Sequence, residues 1–386
     1  MLPKGFSFNG IHAGLKDNPS DLDLALIHSD TICNAAGVFT QNHCPGEPVK
    51  LGRERLQNGK LQSIIINSRI SNVATGEKGF QDAVNICNTL AEKLNTAPSN
   101  TLISSTGIIG RPYPHQKIEN NLDTLISGLE KTAEKSTLAA KAIMTTDTVH
   151  KLLSTQIDGA TITVLAKGAG MIAPNMATML VFILTDANIP SENLKPMLKR
   201  VCDQSFNCLS IDFDTSTSDT CILMANGEAG EVPLDSFETK LLELCKKASY
   251  QIVSDGEGVD KVISCSVEGA IDFVQARAVA SSICNSPLVK TMITGADPNW
   301  GRIIMAIGKT EDSRLKDVQP SIQIDSDHLL KNGKPIDHDL NKLSQYIKDN
   351  ETININVNLH QGTDSCHFLG ANLTNEYVHI NAEYTT

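Results

Sequence analysis

The sequence predicts a mixed α/β globular protein in which sheets are layered with helices. Three observations carry this. Hydrophobic residues make up 40% of 386, enough to bury a large core. Short β-branched runs alternate with segments of helical spacing along the chain. No internal repeat, low-complexity tract or long linker divides it, so one interlocked unit or two closely packed domains is expected.

The elements follow in order. "LQSIIIN" (61–67) reads as a strand, and 79–95 as a helix whose Ala83, Ile86, Leu90 and Leu94 share one face. "TLISSTG" (101–107) reads as a strand ending in a glycine turn, and 118–131 and 137–145 as helices. Strands are expected at 160–168 and 178–187, on either side of the glycine-containing stretch "KGAGMIAPNMATML" (167–180). Helices follow at 193–206, 234–253 and 272–285, with strands at 220–225 and 261–267. A hairpin over 321–336 turns at Asn332-Gly333, then a helix at 338–349 leads to the alternating strand 352–359 and a last strand near 376–383.

Charge and cysteine usage narrow the function. A net charge of −11 without long single-sign blocks disfavours nucleic acid and anionic membranes as partners. The ten cysteines include no C-x-x-C, and Cys202 and Cys208 have no companion pair at zinc spacing. Cys87, Cys245 and Cys284 fall on apolar helical faces, where a thiol acts as a small hydrophobe. Reduced thiols, no metal and a cytoplasmic location are therefore expected. The longest apolar run, "MLVFIL" (179–184), is far short of the roughly 18 residues a membrane span needs.

The stretch at 167–180 raises a chemical question through Thr178. A hydroxyl needs an adjacent base to attack at neutral pH. An N-terminal threonine carries one: an α-amine of pKa near 7.8 is about one-third neutral at pH 7.5, against about 0.1% for an ordinary lysine. Cleavage of Ala177–Thr178 by the Thr178 hydroxyl, through an N-to-O acyl shift and ester hydrolysis, would create that terminus. Gly168 and Gly170 would permit the turn that presents the carbonyl. Thr106 and Gly107 of "STG" could supply an oxyanion hole, in which one donor is typically worth about 3 kcal/mol. Residue types alone favour the plainer account, a β-branched residue opening a strand.

The full pattern adds weight. K-G-x-G-M-I-x-P-N-M-A-T-M-L resembles the signature of the ornithine acetyltransferase (glutamate N-acetyltransferase) family of arginine biosynthesis. "AAGVFTQN" (35–42), "STGIIG" (105–110), "IMTTDT" (143–148), "SFNCLSIDFDTSTSDT" (205–220), "SDGEG" (254–258), "TGADPNWGRI" (294–303) and "INAEYTT" (380–386) resemble further family blocks, in order. The resemblance implies a layered αββα fold, self-processed into an α chain (1–177) and a β chain (178–386) that assemble as an αβ dimer of dimers. It implies a ping-pong transfer of acetyl from N-acetylornithine to glutamate through Thr178, with Thr106 and Gly107 as the oxyanion hole. Substrate contacts fall on Thr145 (or Thr146), Lys167, Thr178, Glu257, Asn381 and Thr386. Lys167 suits a substrate carboxylate and Glu257 an ammonium. No cofactor is implied, though acetyl-CoA could serve as a co-substrate.

Singly, each residue has a plainer reading. Glu257 could be a solvated turn acid, Lys167 a strand flank, Thr106 a turn hydroxyl, and Asn381 and Thr386 parts of a mobile terminus. Trp300 reads as core packing. The sequence departs from the family pattern at Arg69 and Phe213, where glycine is usual, and at Ile70 and Ser218, where asparagine is usual. A divergent member, a paralogue with another donor or acceptor, and an amidohydrolase or aminopeptidase on the same scaffold all remain open. Arg69 could bind a second carboxylate.

Overall fold

A computed structural model of the chain describes residues 1–173 and 179–383. The first half runs β1 (Phe6–Ile11), β2 (Leu24–Phe39), α1 (Glu47–Arg55), β3 (Lys60–Asn67), α2 (Gly76–Lys93) and β4 (Thr101–Ser105). It continues with α3 (His115–Asn120), α4 (Leu122–Ser127), α5 (Ala133–Ala142), β5 (Lys151–Ile157) and β6 (Ala160–Lys167). Then come β7 (Leu180–Asn188), α6 (Ser191–Asp203), β8 (Leu209–Ser210), β9 (Thr220–Glu231) and α7 (Leu234–Ser254). β10 (Val262–Ala270), α8 (Phe273–Cys284), α9 (Pro287–Thr294), α10 (Gly301–Gly308), β11 (Ser321–Ile324), β12 (Asp327–Lys331) and β13 (Lys334–Pro335) follow. α11 (Leu340–Asp349), β14 (Thr352–Asn358), β15 (Asp364–Ala371) and α12 (Asn375–Glu383) close the order.

Two sheets organise these elements, in keeping with the layered α/β class. The first has the order β4-β3-β2-β9-β7-β6-β5, with β1 also paired to β2. The second has the order β13-β12-β11-β14-β10-β15-β8. Buried side chains of α6 and α7 pack on β6, β7 and β9, and those of α2, α3 and α4 on the β2–β4 side. α8 to α11 cover one face of the second sheet. Val262, Leu369 and Ala371 of the second sheet join the cluster formed on the first, so the two halves share core.

The central strands are legible because they are buried throughout. β6 and β7 run antiparallel from Ile162↔Thr185 to Lys167↔Leu180, so the stretch between them joins two neighbouring core strands. Cys87, Cys245 and Cys284 are buried on their helices, and Trp300 packs against the second core. All ten cysteines are free thiols, and Cys208 Sγ lies 3.6 Å from Cys366 Sγ.

Several expectations need correction. The region 376–383 is not a strand but part of α12. The segment 118–131 is broken into α3 and α4 at Asn121 and ends at Ser127. The hairpin over 321–336 contains three short strands, with an extra turn at Asp325-Ser326 before the one at Asn332-Gly333. There Asn332 and Gly333 take φ 48° and 72°, as a tight primed turn requires. Sequence spacing also did not mark β1, β2, β5, β15, α1, α9 or α10.

Candidate active site

The ends of β4 and β6 open into a cavity of about 320 Å³. It is completed by the loops before β5 and β9, by the turn after α7 and by one face of α12. Its lining brings together Thr106, Gly107, Thr145, Thr146, Lys167, Glu257 and Asn381 from separate stretches of sequence. Ala177, Thr178 and Thr386 lie outside the described residues. On either side of 174–178, Met171 and Ile172 are held by Asp212 of the cavity wall and Met179 by Asp219.

Thr106 leaves β4 with its N–H donating to Asn67 O at 3.0 Å, and it is buried. Gly107 follows with φ 120°, and a Cβ there would lie 2.3 Å from the Arg69 carbonyl carbon, so only glycine fits. Lys167, at the last position of β6, is buried and donates from Nζ to Thr106 Oγ1 at 3.3 Å. A lysine ammonium has no acceptor, so the Thr106 proton stays available to donate to another group.

Lys167 sits in a dense charge network. Burial lowers its pKa, and Asp147 leads the carboxylates that pull it back. Asp147 Oδ1 accepts from Lys151 Nζ and from Gly168 N, each at 2.7 Å, and Oδ2 accepts from Thr145 N at 3.1 Å. Burial pushes the Asp147 carboxyl up, but Lys167, Lys151 and these donors outweigh it and hold it down at about 2. Lys151 also donates to Asp255 Oδ2 at 2.5 Å. One buried carboxylate thus fixes Thr145 and the turn after Lys167 relative to each other.

On the opposite wall, Glu257 N–H donates to Ala169 O at 2.8 Å, and its Oε2 accepts from Asn381 Nδ2 at 2.9 Å. The glycine of the 167–180 turn that makes room is Gly170, where a Cβ would meet the Glu257 carboxylate at 2.4 Å. Among the described residues of that stretch, Met171 is left-handed at φ 56° and Gly168 takes φ 159°. Gly170 therefore serves close approach, and a left-handed backbone within the described part of the stretch falls on Met171.

Three contributors escaped sequence reasoning. Asp212 accepts from Met171 N at 2.6 Å and from Ile172 N at 2.7 Å, anchoring the chain just before residue 174. Burial raises its carboxyl above the ordinary range despite those donors. Tyr377 of α12 lines the cavity and donates to Asp212 Oδ2 at 3.4 Å. Asp219 Oδ1 accepts from Met179 N at 3.1 Å, anchoring the chain just after the same stretch. The repeated Asp spacing in "DFDTSTSD" was the available signal.

The positions that depart from the family pattern divide. Ser218 lines the cavity. Arg69 pairs with Asp17 at 3.3 Å, and Ile70 packs against the core beside α2; neither is among the described residues lining the cavity. Phe213 is 66% exposed. Both glycine-replacing residues keep a left-handed backbone, with φ 79° at Arg69 and 70° at Phe213. The described residues contain no His/Cys/Asp/Glu cluster able to hold a metal ion, and no described helix is long and apolar enough to cross a membrane.

Fold and site together define a layered α/β protein whose polar, amino-acid-sized cavity combines a threonine–glycine pair, a buried lysine and a buried glutamate. The chain belongs to the ArgJ family, whose model matches residues 7–386. It is 43% identical over its whole length to Arginine biosynthesis bifunctional protein ArgJ 2 of Clostridium acetobutylicum, covering 98% of that protein. It is 45% identical to the protein of the same description from Nostoc sp., again covering 98% of it. The crystal structure of arginine biosynthesis bifunctional protein ArgJ from Bacillus halodurans matches with a TM-score of 0.52 and 38% identity, over 54% of this chain and all of that one.

Proposed function

We propose that this chain is a self-processing acyltransferase that moves an acetyl group from N-acetylornithine to glutamate through an acetyl-Thr178 intermediate. The observation that carries the reading is the cavity itself. Lys167, Thr106 and Gly107 share one cavity with Glu257 and Asn381, and Met171, which leads into the 174–178 stretch, lines it too. Cation and anion on the walls match the carboxylate and ammonium of an amino acid. The Thr106 hydroxyl and the Gly107 N–H are suited to stabilise the oxyanion formed when Thr178 attacks a carbonyl.

In this reading the Ala177–Thr178 bond is first cut, giving chains 1–177 and 178–386 that pair as an αβ unit and assemble as a dimer of such units. The new α-amine of Thr178 then serves as base for its own hydroxyl. N-Acetylornithine acylates Thr178 and ornithine leaves; glutamate attacks the ester and regenerates the enzyme. Thr145, Asn381 and Thr386 complete the substrate contacts. No cofactor is needed. The word "bifunctional" in the relatives' names makes acetyl-CoA the second donor to assay.

A denaturing gel with N-terminal sequencing should give two pieces, the second beginning at Thr178, and Thr178→Ala should leave one. Acetylglutamate should form from N-acetylornithine and glutamate, with acetate release suppressed by glutamate. Acetate release unaffected by glutamate would identify a hydrolase instead, and a panel of acyl donors and amine acceptors would reveal any change of substrate at Ser218.

A further inference from the structure

Self-cleavage leaves one requirement that the mature enzyme does not share. Until Ala177–Thr178 is cut, Thr178 has no α-amine, and its hydroxyl lacks the base that serves it afterwards. Asp212 grips the stretch before residue 174, and the carboxyl tied next to residue 178 is that of Asp219. Met179 N, the nitrogen of the Thr178–Met179 peptide bond, donates to Asp219 Oδ1 at 3.1 Å. Thr220 N–H donates back to Met179 O at 3.1 Å, so residue 179 is pinned on two sides to the start of β9. Covalent geometry alone keeps the hydroxyl of residue 178 within roughly 5 Å of that nitrogen.

The other oxygen of the same carboxyl is unusual. Asp219 is 1% exposed, and its Oδ2 has no hydrogen-bond partner among the described residues. A buried, unpartnered carboxyl oxygen costs free energy and calls for a reason. Of the charged groups on the cavity walls, Lys167 Nζ donates to Thr106, Glu257 Oε2 accepts from Asn381, and Asp212 accepts from Met171 N and Ile172 N.

We propose that Asp219 is the proton acceptor for the Thr178 hydroxyl during self-cleavage. This rests on the self-cleavage reading above. The proton passes from Thr178 Oγ to Asp219 Oδ2 as Oγ bonds to the Ala177 carbonyl carbon. Asp219 then returns it to the Thr178 nitrogen as the C–N bond breaks, leaving an Ala177–Oγ ester and a free α-amine. Water hydrolyses the ester to the Ala177 carboxylate and the Thr178 hydroxyl, and Asp219 ends as it began. Burial raises the Asp219 carboxyl well above the usual carboxylate range, against the pull of the Met179 N–H, Lys167 and the neighbouring Thr40 hydroxyl, whose proton is donated to Ser216 O at 2.6 Å. A carboxylate so raised is the stronger base and exchanges protons nearer neutrality.

Asp219→Asn separates this role from a structural one, because the amide oxygen still accepts from Met179 N–H but takes up no proton. The full chain is made by cell-free synthesis and its cleavage followed on denaturing gels from pH 5 to 9. The Asp219→Asn substitution should slow cleavage at least about 100-fold while thermal melting stays close to that of the Thr178→Ala chain. Asp219→Glu should recover part of the rate and keep its rise with pH. Cleavage of a folded Asp219→Asn chain at the parental rate, with Thr178→Ala inert, overturns the proposal and leaves the self-cleavage reading standing. Cleavage of Thr178→Ala sinks that reading itself. Should Asp219→Asn fail to fold, a folded Asp219→Glu chain that cleaves independently of pH overturns the proposal.

Discussion

Asp147 shows how much one side chain can hold together. It accepts from Thr145 N, Gly168 N and Lys151 Nζ at once. Asp147→Ala would leave Lys151 sharing Asp255 alone in a buried setting, and a loss of about 3 kcal/mol is expected in chemical denaturation. Its folded pKa of about 2 lies below its ordinary 3.8. Its contribution, on the order of 2 kcal/mol, is therefore present above pH 3.8 and is lost as pH falls through 2. Denaturant midpoints compared between pH 5 and pH 2.5 should show this loss in the parent and not in Asp147→Ala. Gly170→Ala would force a methyl group against Glu257, and we expect KM for the amino-acid substrate to rise about tenfold, a cost of about 1.4 kcal/mol, with a smaller change in kcat. At this scale the sequence was informative wherever a motif carried the residue: Thr106, Lys167, Glu257 and Asn381 do meet. For Asp212 and Asp219 the spacing in "DFDTSTSD" marks the residues but not their work, which is to grip backbone N–H groups of a distant segment.

Among the elements, α12 is the instructive case. "EYVHINAEY" alternates apolar and polar residues, and its β-branched content reads as a strand. Tertiary packing decides otherwise, because Tyr377 and Asn381 four residues apart share one helical face and both reach the cavity. The helix is docked by Thr374, whose hydroxyl donates to Gly258 O at 2.6 Å and accepts from Tyr377 N at 3.2 Å. Gly258 has φ 66°, and a Cβ there would lie 2.3 Å from Tyr377 N. Thr374→Ala should loosen α12 by about 1 kcal/mol. Faster amide exchange over 375–383 and a raised KM with little change in melting temperature would report it. The helices α2, α6, α7 and α8 were legible because each buries one clear apolar stripe. β1 was not, since its alternation in Phe6-Ser7-Phe8-Asn9 spans only four residues before Gly10 interrupts it.

For the whole molecule, the decisive fact is which strands are neighbours. β6 pairs β7 over six positions, β7 pairs β9, and β9 pairs β2 over six. The two pieces expected from self-cleavage would therefore interleave in one sheet. They should elute from gel filtration as a single species and part only in denaturant, where separate elution in native buffer would contradict the interleaving. The sequence anticipated strands on both sides of the 167–180 stretch; their adjacency within one sheet emerges only from the long-range ladder.

That interleaving fixes an order of events. Either fragment made alone would present a row of unsatisfied strand groups where its counterpart belongs, an invitation to aggregate. The proposed scission therefore belongs after folding, in a molecule whose shared sheet is already assembled.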